Sequence, residues 1–449
     1  MGKKVLVAGA GKSGFAAAGL LLAQHREVIF YDGNDKLDGE KLRARFAENE
    51  PVEILLGELK KEDLADVELA VVSPGIPLTV PFVKLIEECG IPIWGEIQLA
   101  YHYAKGKLCA ITGTNGKTTT TALTGEIMKT CFDSVFVVGN IGDPYTAHAL
   151  DTTDDSVTVA EISSFMLETV LDFHPNVSAI TNITPDHLDR HGTMECYTKV
   201  KESITKNQTA EDTVVLNYDD PALREFGKTL QIPVVWFSSR EVLEKGYCLE
   251  NDRIVYKDGA ETTDILGIHD MQLLGRHNYE NVMTAVAIAR AIGVPLDKIR
   301  KAVAEFKAVE HRIEFVEEID GVKYYNDSKG TNPDAAIQAI RAMPAKTLLI
   351  GGGYDKHSEY DEWIDAFEGK VRYLVLIGQT REKIAECARR HGFNDIIFAE
   401  NLEEAVHICR DRAERGDYVL LSPACASWGQ FKNFEERGEM FKEYVRNLR

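Results

Sequence analysis

Chemistry enters this chain at Thr112-Gly113-Thr114-Asn115-Gly116-Lys117-Thr118, between the apolar run Leu108-Cys109-Ala110-Ile111 and a stretch expected to be helical from Thr119 to Lys129. That order predicts a strand, a glycine turn and a helix N-terminus. Backbone N–H groups in such a turn close around phosphate oxygens and the helix dipole favours their charge. A lysine then reaches the β- and γ-phosphates, and a threonine hydroxyl ligates Mg2+. The chemistry predicted is use of ATP. Ile111 stands where the longer G-x-x-x-x-G-K-[ST] loop has its first glycine, so this is the shorter G-T-N-G-K-T form. The bland alternative is a tight turn with a surface lysine.

Other reactive side chains also follow expected strands. Glu161 closes the run Val157 to Ala160, and a carboxylate at the carboxyl end of a parallel strand is well placed to meet a magnesium ion. The next strand, expected over Val177 to Ile183, leads into Thr184-Pro185-Asp186-His187-Leu188-Asp189-Arg190, a charge-dense loop offering a second ligand set or a merely structural histidine. Asn278 lies in Leu274-Gly275-Arg276-His277-Asn278 ahead of an Ala-rich helix expected over Val282 to Ile292; its amide would cap the helix or read a base. Further on, Asn326-Asp327-Ser328-Lys329-Gly330-Thr331-Asn332, Gly351-Gly352-Gly353-Tyr354-Asp355-Lys356 and Ser422-Pro423-Ala424-Cys425-Ala426-Ser427-Trp428 each follow a strand-like run. Loops leaving the carboxyl end of one open α/β sheet converge on a ligand, and Lys329, Lys356, Thr331 and Ser427 suit carboxylates. Singly, each lysine also reads as a solvated charge. Cys425 has no base beside it in sequence and reads as a buried thiol rather than a nucleophile.

The N-terminal turn Gly9-Ala10-Gly11-Lys12-Ser13-Gly14 fits G-x-G-x-x-G, and Asp32 closes the second strand where a ribose-binding acid would sit. Ser73-Pro74-Gly75-Ile76-Pro77 follows the next run. The fingerprint predicts a nucleotide or dinucleotide, NAD among them, or nothing more than close helix–strand packing.

These residues need scaffolds, and 449 residues are too many for one ordinary core. Strand-like runs alternate with helical stretches throughout, predicting α/β domains with parallel sheets: 1–93, 94–308 and 309–449. The expected fold is an N-terminal Rossmann-like nucleotide-binding domain, a central P-loop ATPase-like domain and a C-terminal Rossmann-like domain. With 51 Lys+Arg against 71 Asp+Glu the formal net charge is -20, which argues against general affinity for nucleic acid or anionic membrane. The 8 cysteines are scattered without a C-x-x-C pair, as expected of reduced thiols. No apolar run approaches membrane-spanning length, so a soluble, cytoplasmic protein is expected.

Taken together, the G-T-N-G-K-T loop, the run Asp327-Ser-Lys-Gly-Thr-Asn332 and the run Ser422-Pro-Ala-Cys-Ala-Ser-Trp-Gly-Gln-Phe-Lys-Asn-Phe-Glu-Glu-Arg-Gly438 resemble those of the Mur ligases, over essentially the whole chain. The two C-terminal runs are similar to those of the branch that adds D-glutamate. The loop alone is shared with folylpolyglutamate synthetases.

The resemblance implies an ATP-dependent amide ligase joining D-glutamate to UDP-N-acetylmuramoyl-L-alanine through an acyl phosphate. It implies two Mg2+ ions, held by Thr118 and Glu161 and by His187 and a carbamylated lysine, Lys201, four residues after Tyr197; Lys199 lies nearby. Gly113, Thr114, Asn115, Gly116, Lys117, Thr118 and Thr119 would bind ATP phosphates, and Asn278, Arg312 and Asp327 its adenine, phosphate and ribose. Gly11, Ser13, Asp32, Ser73 and Gly75 would hold the uridine diphosphate, displacing the NAD reading, and Asn140 the muramoyl group. Lys329, Thr331, Lys356, Ser427 and Phe434 would take D-glutamate, although the stretch Trp428-Gly429 varies among relatives. Lys117, His187 and Lys201 carry the catalytic roles in this reading. A monomer is expected, with the third domain closing over ATP and amino acid. Rival readings are an NAD-dependent oxidoreductase, a folate polyglutamylating enzyme and a non-catalytic ATP-binding module.

Overall fold

Strand β1 (Lys4–Ala8) is buried from Val5 onward rather than alternately, the mark of a strand covered on both faces. It heads a fully parallel sheet with β2 (Val28–Asp32), β3 (Val52–Leu56), β4 (Val67–Val72) and β5 (Ile93–Gly95), in the order β3-β2-β1-β4-β5. The strand order reverses between β1 and β4, where open α/β sheets bind ligands. The loops 9–14 and 73–77 leave the carboxyl ends of those two neighbours, and Asp32 ends β2 beside them. The computed structural model describes residues 3–356 and 358–449.

The second sheet contains β6 (Lys107–Thr112), β7 (Val135–Gly139), β8 (Val157–Glu161), β9 (Val177–Ile180), β10 (Thr213–Asn217) and β11 (Val234–Ser238). Three further strands, β12 (Lys245–Glu250), β13 (Arg253–Asp258) and β14 (Glu261–Gly267), extend it to nine in the order β14-β13-β12-β11-β10-β9-β6-β8-β7. Pairing is parallel from β7 to β12 and antiparallel through the two terminal hairpins. The phosphate-type loop leaves β6, Glu161 ends β8 and the histidine loop follows β9: three adjacent strands deliver three motifs to one edge. Apolar residues of the helix Lys12–Ala23, such as Ala17 and Leu21, share one buried core with Ile97, Tyr145 and Ala160.

The third sheet runs β15-β16-β20-β17-β18-β19, comprising β15 (Glu314–Ile319), β16 (Val322–Asn326), β17 (Thr347–Gly351), β18 (Val371–Leu376), β19 (Ile396–Phe398) and β20 (Tyr418–Leu421). Only β15 is antiparallel. The loops after β16, β20 and β17, again three neighbours, carry the polar motifs. Asn332 caps the helix Pro333–Ala342 by accepting from Ala335 N, with proline at the first helical position, and Asn433 caps Phe434–Arg446 through Glu436 N.

The three sheets form three α/β domains, as expected. By contacts the chain divides into two compact units: one takes the residues up to Ile268 together with Glu280–Val303, the other His269–Tyr279 together with Ala304–Arg449. Three details depart from expectation. Strand β5 lies across the 93/94 join, because its three residues are too few to read as a strand. The helix expected from Val282 begins at Arg276, which puts Asn278 inside its first turn rather than at its cap. Strand β9 ends at Ile180, because Thr181 and Asn182 turn their side chains to the phosphate-type loop. Among the described residues no helix is long and apolar enough to cross a membrane.

Candidate active site

In the first unit, Gly116 has φ +86°, the left-handed conformation that glycine alone adopts without strain. A Cβ there would lie 2.2 Å from Asn281 Oδ1, so the position is closed sterically as well. The helix Lys117–Lys129 starts immediately after it. Neighbouring loops hold the turn in place. Thr181 Oγ1 donates to Asn115 O (2.6 Å), Asn115 N donates to Asn182 Oδ1 (2.9 Å), and Thr114 Oγ1 meets Tyr197 OH (3.0 Å). Lys117 Nζ folds back onto the carbonyls of Gly113 and Thr114, 2.9 Å from each. Thr118 and Thr119 follow on the first helical turn.

Lys201 Nζ donates to the same Gly113 carbonyl at 2.8 Å, from a side chain only 1% exposed. Burial, reinforced by the charge of Lys117, lowers its pKa from 10.5 to about 7. Half of the amine is therefore neutral near neutral pH. Lys199 lies at the surface and pairs with Glu195.

Glu161 is buried, with Oε1 accepting from Asn140 Nδ2 at 2.7 Å. Its Oε2 is buried without a hydrogen-bond partner. A buried carboxylate oxygen lacking a donor suits a hard cation, so Glu161 fits as a ligand to Mg2+. His187 is half-exposed at the start of the short helix Leu188–His191, its ring 4.8 Å from that of Phe165.

On the first sheet, Asp32 accepts from Ala10 N at 2.8 Å and from Asn34 N at 2.9 Å, bracing the 9–14 turn. A Cβ at Gly14 would meet Gly9 O at 1.8 Å, so this glycine does serve close helix–strand packing. Gly11 precedes the helix carrying Ser13. Ser73 Oγ is a second buried polar atom without a partner, and the exposed Gly75 follows it. Lys12 crosses to the 139–143 loop, donating to Gly142 O and pairing with Asp143, both at 2.8 Å.

In the second unit, Asp327 is buried and accepts from Ser422 Oγ (2.7 Å) and Ile313 N (3.3 Å). Burial raises its pKa to about 7, with Ser422 and Arg312 acting in the opposite direction. Arg312 Nε is buried without a partner, and burial together with Arg312's charge holds His277 down at about 4. Asn278 Nδ2 donates to Leu274 O. Arg437, which sequence reasoning did not single out, is fully buried. It donates to Ser328 Oγ (3.0 Å), Ser328 O (2.8 Å) and Cys425 O (3.2 Å), clamping the 327–332 and 422–428 loops together. Its position nine residues beyond Trp428 on a capped helix gave no signal; a buried arginine is visible only once the loops are in place.

Lys329 Nζ lies 5.7 Å from the Phe434 ring and Lys356 Nζ lies 4.9 Å from that of Trp428, while Ser427 is buried and Thr331 partly so. A cleft of about 360 Å3 opens on the Trp428 side, lined by Tyr354, Arg381, Glu400 and Trp428 among others. Cys425 Sγ sits 3.1 Å from Tyr360 OH and 3.3 Å from Thr380 Oγ1, and burial raises its pKa. It is a buried thiol, as the sequence suggests.

Comparison with known proteins follows the same three-part division. Residues 3–95 match the Mur ligase MurD-like N-terminal domain, 111–289 the Mur ligase middle domain and 311–425 the Mur ligase glutamate ligase domain. The chain is 55% identical over 449 residues to UDP-N-acetylmuramoylalanine--D-glutamate ligase of Lachnoclostridium phytofermentans, covering 100% of this chain and 99% of the relative. It is 47% identical over 450 residues to the enzyme of that name from Thermoanaerobacter sp., with 100% and 99% covered. The fold matches the crystal structure of UDP-N-acetylmuramate-alanine ligase MurC from Thermotoga maritima with a TM-score of 0.61 at 18% identity, covering 100% of both chains. It matches MurF ligase from the same organism, solved with ADP, with a TM-score of 0.59 at 19% identity over 94% of this chain and 96% of that one.

Proposed function

Because this chain belongs to the Mur ligase family, we propose that it adds D-glutamate to UDP-N-acetylmuramoyl-L-alanine, driven by ATP. The observation that carries this reading is the meeting of Lys117, Lys201 and the Gly113 carbonyl at a phosphate-type loop, on the sheet edge that also bears the unpartnered Glu161 oxygen. A carboxylate resists amines until one oxygen becomes a leaving group. The alanyl carboxylate oxygen attacks the γ-phosphorus of ATP, ADP departs, and an acyl phosphate forms. The D-glutamate nitrogen then attacks the acyl carbon, the carbon–oxygen bond to phosphate breaks, and the nitrogen loses a proton.

Within this reading Gly113 to Thr119 cradle the phosphates, and Lys117 swings from its carbonyl contacts to the transferring group, offsetting charge that grows in the transition state. Asn278, Arg312 and Asp327 serve the rest of ATP. Gly11, Ser13, Asp32, Ser73 and Gly75 hold the uridine diphosphate, and Asn140 the muramoyl group. Lys329, Thr331, Lys356, Ser427 and Phe434 take D-glutamate. Thr118 and Glu161 would hold one Mg2+ ion, and His187 and Lys201 a second; bound there, the ions would supply positive charge against the phosphate oxygens.

Lys201 serves a metal only as an anion. A neutral amine adds CO2 and releases a proton to give a carbamate, and the lowered pKa of Lys201 makes that amine available near pH 7. With β5 kept whole in the first domain, the domains divide at 1–95, 96–308 and 309–449, and the enzyme works as a cytoplasmic monomer. An NAD-dependent activity has no support from the family matches.

The deciding measurement is phosphate release from ATP and Mg2+ with UDP-N-acetylmuramoyl-L-alanine, comparing D-glutamate, L-glutamate and no amino acid. Release that needs both the nucleotide sugar and the D isomer is expected. Release with a different amino acid would keep the ligase chemistry and move the specificity, whereas none under any pairing would overturn the proposal.

A further inference from the structure

Arg190 belongs to none of the roles above, yet its guanidinium makes three different kinds of contact within the first unit. It forms a two-pronged ion pair with Glu168, Nη2 to Oε2 at 2.6 Å and Nε to Oε1 at 3.2 Å, with the side chains only 12% and 14% exposed. The same Nη2 donates to Ile76 O at 3.0 Å, in the 73–77 loop of the first sheet. Its Cζ lies 4.8 Å from the centre of the Phe165 ring, which itself packs against His187 at 4.8 Å and His191 at 5.7 Å.

The backbone strengthens the link to His187. Arg190 N donates to His187 O at 3.0 Å, and His187 sits in the left-handed region at φ +50°, uncommon for a residue other than glycine although histidine is among those enriched there. Glu168 Oε1 also has His191 beside it, whose Nδ1 lies 3.6 Å away and whose Nε2 meets Ser164 Oγ at 3.0 Å. One rigid planar cation therefore joins a carboxylate at the end of the short helix Ser164–Leu167, a backbone carbonyl in the 73–77 loop and an aromatic ring. Only a guanidinium fits all three: an ammonium is a point charge without the fork or the flat face.

We propose that Arg190 is a positioning residue that locks the 73–77 loop and His187 into one register, so that the nucleotide end of the substrate and its reacting end are placed together. This rests on the ligase reading, in which Ser73 and Gly75 hold the uridine diphosphate and His187 acts at phosphoryl transfer. Arg190 touches neither substrate. Its loss loosens both loops while leaving the turn Gly113–Lys117 with its own partners, Thr181, Asn182 and Tyr197.

The test compares Arg190→Lys and Arg190→Ala with the wild-type protein in steady-state phosphate release, varying the nucleotide sugar and ATP separately and following thermal unfolding alongside. Loss of a charge-assisted, two-pronged contact is expected to raise the KM for UDP-N-acetylmuramoyl-L-alanine by roughly tenfold to a hundredfold and to lower kcat, with the KM for ATP moving by less than about threefold. Added guanidinium should restore part of the lost nucleotide-sugar affinity to Arg190→Ala. An unchanged KM for the nucleotide sugar in both variants overturns the proposal while the ligase reading stands. So does a parallel loss of both KM values with a lowered unfolding temperature and no guanidinium rescue, which marks a merely structural ion pair. A wild-type protein that releases no D-glutamate-dependent phosphate overturns the ligase reading first and this proposal with it.

Discussion

Replacing Lys201 with methionine should stabilise the fold while abolishing turnover, and the size of the gain should depend on pH in a defined direction. The folded lysine titrates at about 7 instead of 10.5 because it is buried and faces Lys117. At ~1.36 kcal/mol per tenfold, that displacement disfavours the charged folded form by roughly 5 kcal/mol. The folded pKa is lower than the unfolded one, so between the two the unfolded chain holds a proton the folded chain lacks. Raising the pH through that window therefore stabilises the wild-type protein. The proton-linked loss of wild-type stability is roughly 4 kcal/mol near pH 7 and roughly 2 kcal/mol near pH 9.

Methionine fills similar space and carries no proton. It gives up the bond from Nζ to Gly113 O, worth about 1 kcal/mol independently of pH. Urea unfolding in CO2-depleted buffer should thus find Lys201→Met more stable than wild type by about 3 kcal/mol near pH 7, with the gap shrinking by about 2 kcal/mol toward pH 9. A gap that stays flat or widens with pH would refute the reasoning, since it would mean that Lys201 is not held near neutrality by its surroundings.

Glu161→Gln replaces the unpartnered Oε2 with an amide; we expect thermal stability to hold or rise, because no buried charge remains, and the Mg2+ requirement for half-maximal turnover to climb at least tenfold, read by titrating Mg2+ in the phosphate-release assay. Burial is the main cause of Lys201's lowered pKa and Lys117→Met removes the charge that reinforces it, so besides losing turnover the variant should incorporate less 13C-labelled CO2 at Lys201 near neutral pH, as read by NMR. For Asp327 the folded pKa of about 7 lies above the usual 3.8, so the folded state holds a proton longer and its stability from this group falls as pH rises from 3.8 through about 7; Asp327→Asn should remove that slope in a comparison of unfolding free energies across the window. Gly116→Ala, placed at φ +86° with Asn281 Oδ1 at 2.2 Å from its Cβ, should weaken ATP binding by more than tenfold in equilibrium titration, where a merely surface turn would tolerate it.

The parts of this molecule that were legible in advance share one property: their chemistry is local. A glycine turn, a lysine and a threonine within seven residues announce a phosphate loop without help from the rest of the chain. Strands with both faces covered, such as β1, β6 and β20, show as unbroken apolar runs. Half-covered strands do not: β3 and β15 hold only half-buried and exposed positions with glutamates among them, and β12 is part exposed, so none stood out. The hairpin joining β12 to β13 did leave a trace in Asn251-Asp252, both with positive φ, the type of residue pair that tight two-residue turns favour. What stayed hidden in the site is set by distant partners. Nothing near Lys201 in sequence says that its amine meets a carbonyl 88 residues earlier, and nothing near Arg190 or Arg437 says that each bridges loops from separate strands.

The phosphate-type loop also carries a timetable. Its backbone is held by Thr181, Asn182 and Tyr197, and the space over Gly116 is closed by Asn281. All of these residues leave the ribosome after the loop does, the last of them well over a hundred residues later. A nascent chain emerging at about 5–20 residues per second therefore exposes an unbraced loop for roughly ten seconds or more before its final neighbour is made. The full bracing of the phosphate-type loop therefore arrives late in synthesis.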